Sequence, residues 1–382
     1  MKILFLGRAL LPSTPSLGNL PPDAYRHIEE SQRAPEGETK FPAGKLTPSA
    51  PYAGRRYFAL AFELTKIAEV KFYGPGYPEY RESWLPTWNE IDVMDVISRL
   101  YPGDYPDAVV QLSPCNPEGL FGSWRNFEKA KCLRVLWAAD FHNDIGHPGV
   151  DRLLRSRHWD LVIKSWDARN LTEWSGRVLG AGVPMEWLPF SFDPAVFRDY
   201  GLPKVYDVIN MGTFAPQHYP LRQAVHAVLN PLRGYLKYLC GYDFVSPENS
   251  LAGVMTDDYA RIINQGKMYA TCTSSFRYFG LKLLEILACN TLLLCDTPMD
   301  AEEMGLRAGE NYVSLDELWH VDREHPENRW LDAPRFLELV NLYLTHPDEA
   351  ARIARNGHAL AHSRHTNEIR AKEFLGILGK YA

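Results

Sequence analysis

Short apolar runs alternate with amphipathic stretches along most of the chain. The apolar runs predict strands at 3–6, 70–73, 108–112, 133–138, 161–163, 186–189, 206–211, 236–239, 268–272, 291–295 and 311–313. Apolar residues at helical spacing predict helices at 55–68, 150–157, 170–179, 220–229, 255–264 and 280–288, and from 334 to about 345, 347 to about 364 and 366 to 378. This alternation is typical of an α/β protein with mostly parallel sheets.

The alternation occurs twice, and the length of 382 residues favours two domains over one. We therefore predict two Rossmann-like domains that face a central cleft. The predicted parts are an N-terminal domain at 1–190, a linker at 191–204, a C-terminal domain at 205–365, and a last helix at 366–382 that packs back on the first domain. No G-x-G-x-x-G follows the first strand, so the dinucleotide fingerprint is missing.

A long proline-rich segment, residues 8–53, separates the first strand from the first helix. It leaves the carboxyl end of that strand, where open α/β sheets bind ligands. Structureless segments of this length in compact domains are usually functional or disordered. The sequence leaves two interpretations open: a lid or acceptor-binding loop, or a disordered insertion.

Composition and charge argue against several classes of protein, although a local basic groove stays open. A net charge of −6 argues against a general nucleic-acid binder, which carries a basic footprint. The 6 cysteines form no C-x-x-C pair and suit a reducing compartment. The apolar N-terminus is too short for a signal peptide, and no stretch is long enough to span a bilayer. We therefore expect a cytoplasmic protein without a membrane span.

The predicted helix 280–288 contains the strongest candidate site. Glu285 interrupts an otherwise apolar helix, and burying a carboxylate is costly unless a polar group pairs with it. The start of the helix, formed by Phe279, Gly280, Leu281 and Lys282, offers backbone N–H groups and a cation that suit a phosphate. The alternative is that Glu285 is a structural glutamate paired with a neighbouring lysine or arginine, and that Lys282 is a solvated residue of the helix.

Three further candidates lie near predicted strands. Lys267 precedes the strand that leads into the helix at 280, so it is a candidate phosphate contact. Asp140 and His142 follow the strand at 133–138, and an aspartate there suits a general base. The alternative for 139–144 is a turn that caps the next helix.

We predict no metal site. His358, His362 and His365 have helical spacing, but no carboxylate accompanies them at matching spacing and no H-E-x-x-H motif is present. No clear D-x-D motif occurs at the predicted strand ends. We also expect no cofactor.

The chain resembles the GT-B glycosyltransferases, and most closely the spore-maturation CgeB type among the group-1 retaining enzymes. The resemblance is strongest over 185–378, whereas the N-terminal half is similar only in topology. It rests on the segments 188–197, 206–212, 280–290 and 344–349, together with Ile353, Gly357, His365, Thr366 and Arg370.

The resemblance implies a donor site for a nucleotide-sugar. The carboxylate of Glu285 would receive the ribose hydroxyls, and the backbone amides of 279–281 would hold the diphosphate and sugar. Arg222 is the candidate basic residue for the diphosphate, and Lys282 stands where the family often has arginine. The turn at Gly212 and Thr213 would line the phosphate site.

One departure from the family pattern concerns a second glutamate. Many group-1 enzymes have glutamates eight positions apart, and the position eight before Glu285 is Arg277. The missing carboxylate helps to position the donor sugar in such enzymes. Arg277 would instead add charge at the diphosphate, because a guanidinium grips phosphate oxygens at two points.

The resemblance therefore predicts transfer of a sugar from a nucleotide-sugar, with UDP favoured, by a metal-independent and retaining enzyme. The acceptor is open among a small molecule, a glycan, a protein and modified nucleic acid. One alternative is a catalytically silent nucleotide-sugar-binding or assembly protein. Another is a glycosyltransferase that acts on modified DNA, for which the basic residues of 152–157 give faint support.

Overall fold

The computed structural model describes residues 1–6, 60–61, 63–74, 91–113, 125–138, 159–165, 182–212, 214, 216–240, 257–321 and 328–382. The predicted segment 8–53, the helices at 150–157 and 170–179, and part of the helix at 55–68 lie outside the described residues. The chain forms two compact units. Unit 1 comprises Met1–Phe190 and Asn367–Ala382, and unit 2 comprises Ser191–Thr366.

The strands and helices follow the alternation of the sequence. The strands are β1 (Lys2–Leu6), β2 (Glu69–Tyr73), β3 (Ala108–Ser113), β4 (Leu133–Ala138), β5 (Leu161–Lys164), β6 (Met185–Trp187), β7 (Tyr206–Asn210), β8 (Tyr238–Cys240), β9 (Gly266–Ala270), β10 (Leu292–Cys295), β11 (Val313–Ser314), β12 (Trp319–Val321) and β13 (Arg329–Leu331). The α-helices are α1 (Val93–Leu100), α2 (Pro220–Leu229), α3 (Asp257–Asn264), α4 (Leu281–Ala288), α5 (Ala333–Thr345), α6 (Pro347–Arg364) and α7 (Asn367–Tyr381).

Unit 1 contains a six-stranded parallel sheet in the order β2-β1-β3-β4-β5-β6. Its central strands are apolar on both faces, as parallel sheets require when both faces are covered. One covering element is α7, whose Phe374 lies 5.1 Å from Trp137 and 6.0 Å from Phe5 between ring centroids. The C-terminal helix therefore belongs to the core of unit 1.

Unit 2 contains a five-stranded parallel sheet in the order β11-β10-β9-β7-β8, with an antiparallel pair, β12 and β13, as a separate small sheet. The segment 191–204 belongs to this unit. Asp199 in it accepts hydrogen bonds from Asn264 at the end of α3 (2.9 Å) and from Asn290 after α4 (2.8 Å). These bonds tie the start of unit 2 to the helices of its sheet.

Helix α4 is the most buried helix of unit 2. Every residue except Lys282 is buried, and α4 packs against both β10 and α6. The two helices approach closely at Gly357 of α6, where an added Cβ would lie 2.6 Å from Cδ2 of Leu287. The glycine therefore sets the distance between α4 and α6.

The structure corrects several element boundaries. The strand predicted at 268–272 begins and ends two residues earlier, as β9. Thr271 consequently lies beyond the carboxyl end of the strand. The strand predicted at 311–313 is instead the short β11, and the sequence pattern missed α1, β12 and β13. Strand ends depend on pairing with neighbours, which an apolar run does not encode.

Within the described part of the chain, no helix is both long and apolar enough to cross a membrane. The described cysteines are all free thiols, and Cys240, Cys272, Cys289 and Cys295 are buried. Burial raises the pKa of Cys289 and Cys295 well above the ordinary value. These two thiols therefore stay protonated and act as small apolar side chains.

Candidate functional site

The candidate site lies at the carboxyl edge of the sheet in unit 2. All strands of this sheet are parallel, so their carboxyl ends meet at one edge, where α/β proteins bind ligands. Gly212 follows the end of β7, Thr271 follows the end of β9, and α4 begins ten residues after Thr271.

Gly212 is where two basic side chains converge. Its φ of 127° lies in a region that L side chains rarely adopt. A Cβ at this position would lie 2.9 Å from Nη1 of Arg222 and 3.3 Å from Cε of Lys282. Both basic side chains therefore lie against the same turn, and only glycine fits there.

Arg222 is buried against Thr271 and Tyr219. The residue is 4% exposed, and its Nε and Nη2 each donate to Oγ1 of Thr271 at 3.3 Å. Its guanidinium also lies over the ring of Tyr219, 4.2 Å from the centroid. Asn210 fixes the backbone, since its Nδ2 donates to the carbonyl of Arg222 at 3.0 Å. A buried guanidinium in this setting attracts an anion strongly, because the local dielectric is low.

Lys282 lies on the first turn of α4, beside two tyrosines. Its Nζ donates to the hydroxyl of Tyr259 at 2.7 Å and lies 5.9 Å from the ring centroid of Tyr269. Burial raises the pKa of Tyr269 to about 12. Tyr259 and Arg222 lower that pKa, whereas Glu285 raises it. Tyr269 is therefore close to the charges of both Arg222 and Glu285.

Glu285 lies on the same helix, three residues after Lys282, and is completely buried. Residues three apart share a helix face, so Glu285 lies about one turn deeper than Lys282. We call Arg222, Lys282 and Glu285 the polar patch: the two cations lie next to Gly212, and the carboxylate lies one turn further along α4. A diphosphate over the cations and a hydroxyl-rich group over the carboxylate suit this arrangement.

A side chain outside the helix, Asp300, fixes the start of α4. Gly280 is the N-cap residue, and the preceding N–H of Phe279 donates to Oδ1 of Asp300 at 2.9 Å. The Phe279 amide therefore already has an acceptor. Leu281 and Lys282 occupy the first turn, where the first N–H groups of a helix have no carbonyl four residues earlier within it. The next N–H, that of Leu283, donates to the carbonyl of Gly280 at 3.0 Å. The helix dipole adds positive potential there.

The structure does not bring Arg277 to this patch. Arg277 has a left-handed backbone with φ 54°. Its Nη2 donates to the carbonyl of Thr297 at 2.9 Å and lies 3.9 Å from the carboxylate of Asp316. The arginine therefore engages the loops that follow β10 and β11. The sequence hypothesis that it joins the diphosphate site gains no geometric support.

Lys267 lies at the other edge of the sheet. It is the second residue of β9, and its Nζ is 2.7 Å from Oδ1 of Asp207 near the start of β7. The amino ends of parallel strands lie opposite the edge that carries Gly212. Lys267 therefore belongs to a surface ion pair. Three other sequence candidates, Asp140, His142 and Thr213, lie outside the described residues.

The three histidines with helical spacing contact backbone carbonyls. Nδ1 of His358 and Nε2 of His362 lie 2.8 Å and 3.2 Å from the carbonyl oxygen of Ala288, at the end of α4. Nε2 of His365 lies 3.0 Å from the carbonyl of Met304. In the part of the chain that the structure describes, no group of three histidine, cysteine, aspartate or glutamate side chains could hold a metal ion.

The sequence reasoning missed four residues around the patch: Tyr259, Tyr269, Thr271 and Asp300. The tyrosines lie within an amphipathic helix and an apolar strand, where aromatic residues ordinarily belong to the core. The apolar pattern places Thr271 within a strand, and Asp300 lies in a loop of no distinctive pattern. Nothing in the local sequence marks them, because their role depends on contacts between distant segments.

A family model covers much of unit 2. Residues 222–376, about two-fifths of the 382 residues, match the model described as Glycosyl transferase-like. The matched segment includes Arg222, Lys282 and Glu285. Among curated protein sequences, none matches significantly.

Solved structures resemble the whole chain. HepE from Anabaena, in complex with UDP-glucose, aligns over 100% of both chains with 14% identity and a TM-score of 0.51. Sucrose-phosphate synthase from Thermosynechococcus elongatus aligns over 100% of this chain and 99% of its own, with 9% identity and a TM-score of 0.52. The pneumococcal O-GlcNAc transferase GtfA shows 16% identity and a TM-score of 0.47, over 76% of this chain and 59% of its own.

The likenesses with TM-scores above 0.5 confirm the predicted α/β fold of the GT-B type. The family match identifies 222–376 as a glycosyl transferase-like segment and supports the predicted class of enzyme. The patch of Arg222, Lys282 and Glu285 therefore lies in the segment that matches the Glycosyl transferase-like model.

Proposed function

We propose that this protein transfers a sugar from a nucleoside diphosphate sugar, with UDP favoured, to an acceptor. The convergence of Arg222 and Lys282 on Gly212 carries the proposal. Two cations at one turn, next to the positive end of a helix, suit an anion with two phosphates. The location of these residues in the glycosyl transferase-like segment supports a sugar-bearing diphosphate.

Each group in the patch has a proposed role. Arg222 and Lys282 bind the diphosphate, assisted by the N–H groups of the first turn of α4. Glu285 accepts hydrogen bonds from the two ribose hydroxyls. The choice of UDP is supported by HepE, whose structure of the same fold contains UDP-glucose.

The proposed reaction breaks the bond between the anomeric carbon and the oxygen of the diphosphate. Negative charge builds up on the departing diphosphate, and Arg222 and Lys282 stabilise it. The acceptor oxygen forms the new bond to the anomeric carbon, and its proton passes to the departing phosphate. This course gives retention and needs neither a metal ion nor an enzymic base. It matches the CgeB-like, group-1 subfamily to which we assign the chain.

A second candidate is a silent protein that binds a nucleotide-sugar without turning it over. One observation favours it: the position eight residues before Glu285 carries Arg277, whose side chain binds Thr297 and Asp316. Incubation with UDP-sugars separates the candidates. An enzyme releases UDP from at least one donor, whereas a silent protein returns every donor intact.

A thermal-shift series tests the proposed donor site. Wild type, Glu285→Ala and a control, Glu349→Ala, are heated with UDP, GDP, ADP, dTDP, CDP or NAD. Glu349 is a matched control because it is an exposed glutamate on α6, paired with Arg352. A ligand at 100 times its dissociation constant stabilises the folded state by about 2.7 kcal/mol.

We expect one nucleoside diphosphate to stabilise wild type and the control, and Glu285→Ala to lose that stabilisation. Wild type that responds to none of the ligands at millimolar concentration contradicts the proposed function. An equal thermal shift in wild type and Glu285→Ala would mean that the protein has a nucleotide site but that Glu285 is not part of it.

A further inference from the structure

Two buried tyrosines connect Lys282 to the turn at Gly212. The hydroxyl of Tyr269 donates to the carbonyl of Met211 at 2.9 Å and accepts from the N–H of the same residue at 3.2 Å. Tyr259 hydrogen-bonds to the Tyr269 hydroxyl. Tyr259 in turn accepts from Nζ of Lys282 at 2.7 Å. We call this chain of bonds, from Lys282 through Tyr259 and Tyr269 to Met211, the tyrosine relay.

The direction of every bond in the tyrosine relay is fixed. A backbone N–H only donates and a carbonyl only accepts, so the single proton of the Tyr269 hydroxyl goes to the carbonyl of Met211. Tyr259 must therefore donate its own proton to Tyr269. The remaining capacity of the Tyr259 oxygen is to accept, and an ammonium is a donor without lone pairs. Lys282 is thus the donor that completes the chain.

Burial makes the tyrosine relay rigid. Tyr269 is 0% exposed and Tyr259 is 6% exposed, so water does not compete readily for their hydroxyls. Hydrogen bonds in such surroundings are stronger than in water, and a broken one leaves a buried polar group unsatisfied. The ring of Tyr259 is further fixed by an edge contact with Phe197, 6.3 Å between centroids.

From this geometry we infer that Tyr259 and Tyr269 are positioning residues that place the Lys282 ammonium and the Gly212 turn for one diphosphate. The inference rests on the proposed function and deepens it. The hydroxyl of Tyr269 binds both the backbone N–H and the backbone carbonyl of Met211, the residue before Gly212. Tyr259 holds the lysine whose Cε lies against the same turn. The ligand class is the nucleoside diphosphate of the proposed function, and the tyrosine relay acts on its diphosphate because it orients a cation.

Titration calorimetry with UDP and with uridine tests the tyrosine relay. The variants are Tyr259→Phe and Tyr269→Phe, which keep the rings and remove the hydroxyls. Tyr238→Phe is the matched control, because Tyr238 is also a buried tyrosine of unit 2, and its hydroxyl lies 3.1 Å from Nδ1 of His226. Thermal melting establishes that each variant is folded.

We expect Tyr259→Phe to raise the dissociation constant of UDP about five- to tenfold, within the range of one ordinary hydrogen bond. Uridine has no phosphate, so wild type and Tyr259→Phe should give the same result with it: either the same heat of binding or no binding in both. Tyr269→Phe should weaken UDP at least as much, since it releases the turn as well. Tyr238→Phe should bind UDP as wild type does.

A double-mutant cycle separates positioning from a general structural effect. In the Lys282→Ala background, Tyr259→Phe should change UDP affinity by less than about twofold, because the group it positions is gone. A loss as large as in wild type overturns the inference, as does unchanged UDP binding by Tyr259→Phe. If wild type binds UDP in these cases, the proposed function stands. Wild type that binds no nucleoside diphosphate overturns both.

Discussion

The guanidinium of Arg222 lies directly against Gly212, so that an added Cβ would meet Nη1 at 2.9 Å. The two residues come from different elements: Gly212 follows β7, and Arg222 lies on α2. The glycine gives the backbone its φ of 127° and leaves room for the buried cation. The turn and the arginine therefore form one structural unit, which the helix tip at Lys282 completes.

Gly212→Ala should disrupt this unit. The backbone strain alone costs about 1–3 kcal/mol, and the overlap displaces the guanidinium. We expect lower stability in urea and weaker UDP binding. Gly309→Ala is the matched control, because Gly309 has φ 75° but no heavy atom within 4 Å of an added Cβ. The control should lose about 1–2 kcal/mol of stability and keep its UDP affinity. Wild-type affinity in Gly212→Ala would argue against a phosphate site at this turn.

The two lysines that the sequence proposed for phosphate should behave differently. Lys282→Ala should weaken UDP binding about ten- to a hundredfold, the range of a charged hydrogen bond. Lys267→Ala should leave UDP affinity unchanged and alter stability by less than about 0.5 kcal/mol, because it removes only an exposed ion pair with Asp207. Titration calorimetry on both variants is the measurement. A comparable loss in Lys267→Ala would contradict the geometry.

Asp300→Ala should loosen the start of α4. Asp300 is 1% exposed and accepts the N–H of Phe279, so its removal leaves a buried donor unsatisfied. We expect a loss of about 1–3 kcal/mol in denaturant unfolding and weaker binding of UDP. Asp332→Ala is the control, since Asp332 caps α5 and its loss costs about 1 kcal/mol. If both variants bind UDP equally well, the Asp300 contact only stabilises the fold.

Stability should depend on pH through His362. Burial lowers the pKa of His362, the hydrogen bond to Ala288 opposes this effect, and the charge of His358 lowers the pKa further. The unfolded histidine, with a pKa of about 6.5, therefore binds a proton more readily than the folded one. The contribution of His362 to the free energy of unfolding is therefore fully present above the unfolded pKa. It is lost as the pH falls from the unfolded pKa toward the folded one.

Melting temperatures of wild type and His362→Gln between about pH 7.5 and 5.5 measure this effect. Wild type should lose more stability across the interval than the variant, because glutamine does not titrate. Its amide still donates to a carbonyl at this position. Equal slopes in the two proteins would assign the pH dependence to other groups.

The sequence by itself determined the class of fold. Short apolar runs, and the stretches of helical periodicity between them, are local properties of the sequence. Most of them correspond to strands and helices in the structure. The helix at 281–288 also stood out locally, because a carboxylate at Glu285 contradicts its apolar surroundings. The family resemblance over 185–378 suggested Arg222 and Gly212 as parts of a phosphate site, although no local pattern connects them.

Only the tertiary structure decided which of these residues meet. Arg222 and Lys282 lie together because β7 and β9 are neighbours in the sheet and α2 and α4 both flank their carboxyl edge. Lys267 lies at the amino edge, and Arg277 binds other loops, although both are near Lys282 in sequence. Tyr259 and Tyr269 look like ordinary core residues until the fold joins their hydroxyls. Such contacts depend on strand register and loop conformation, which long-range packing sets and local sequence does not encode.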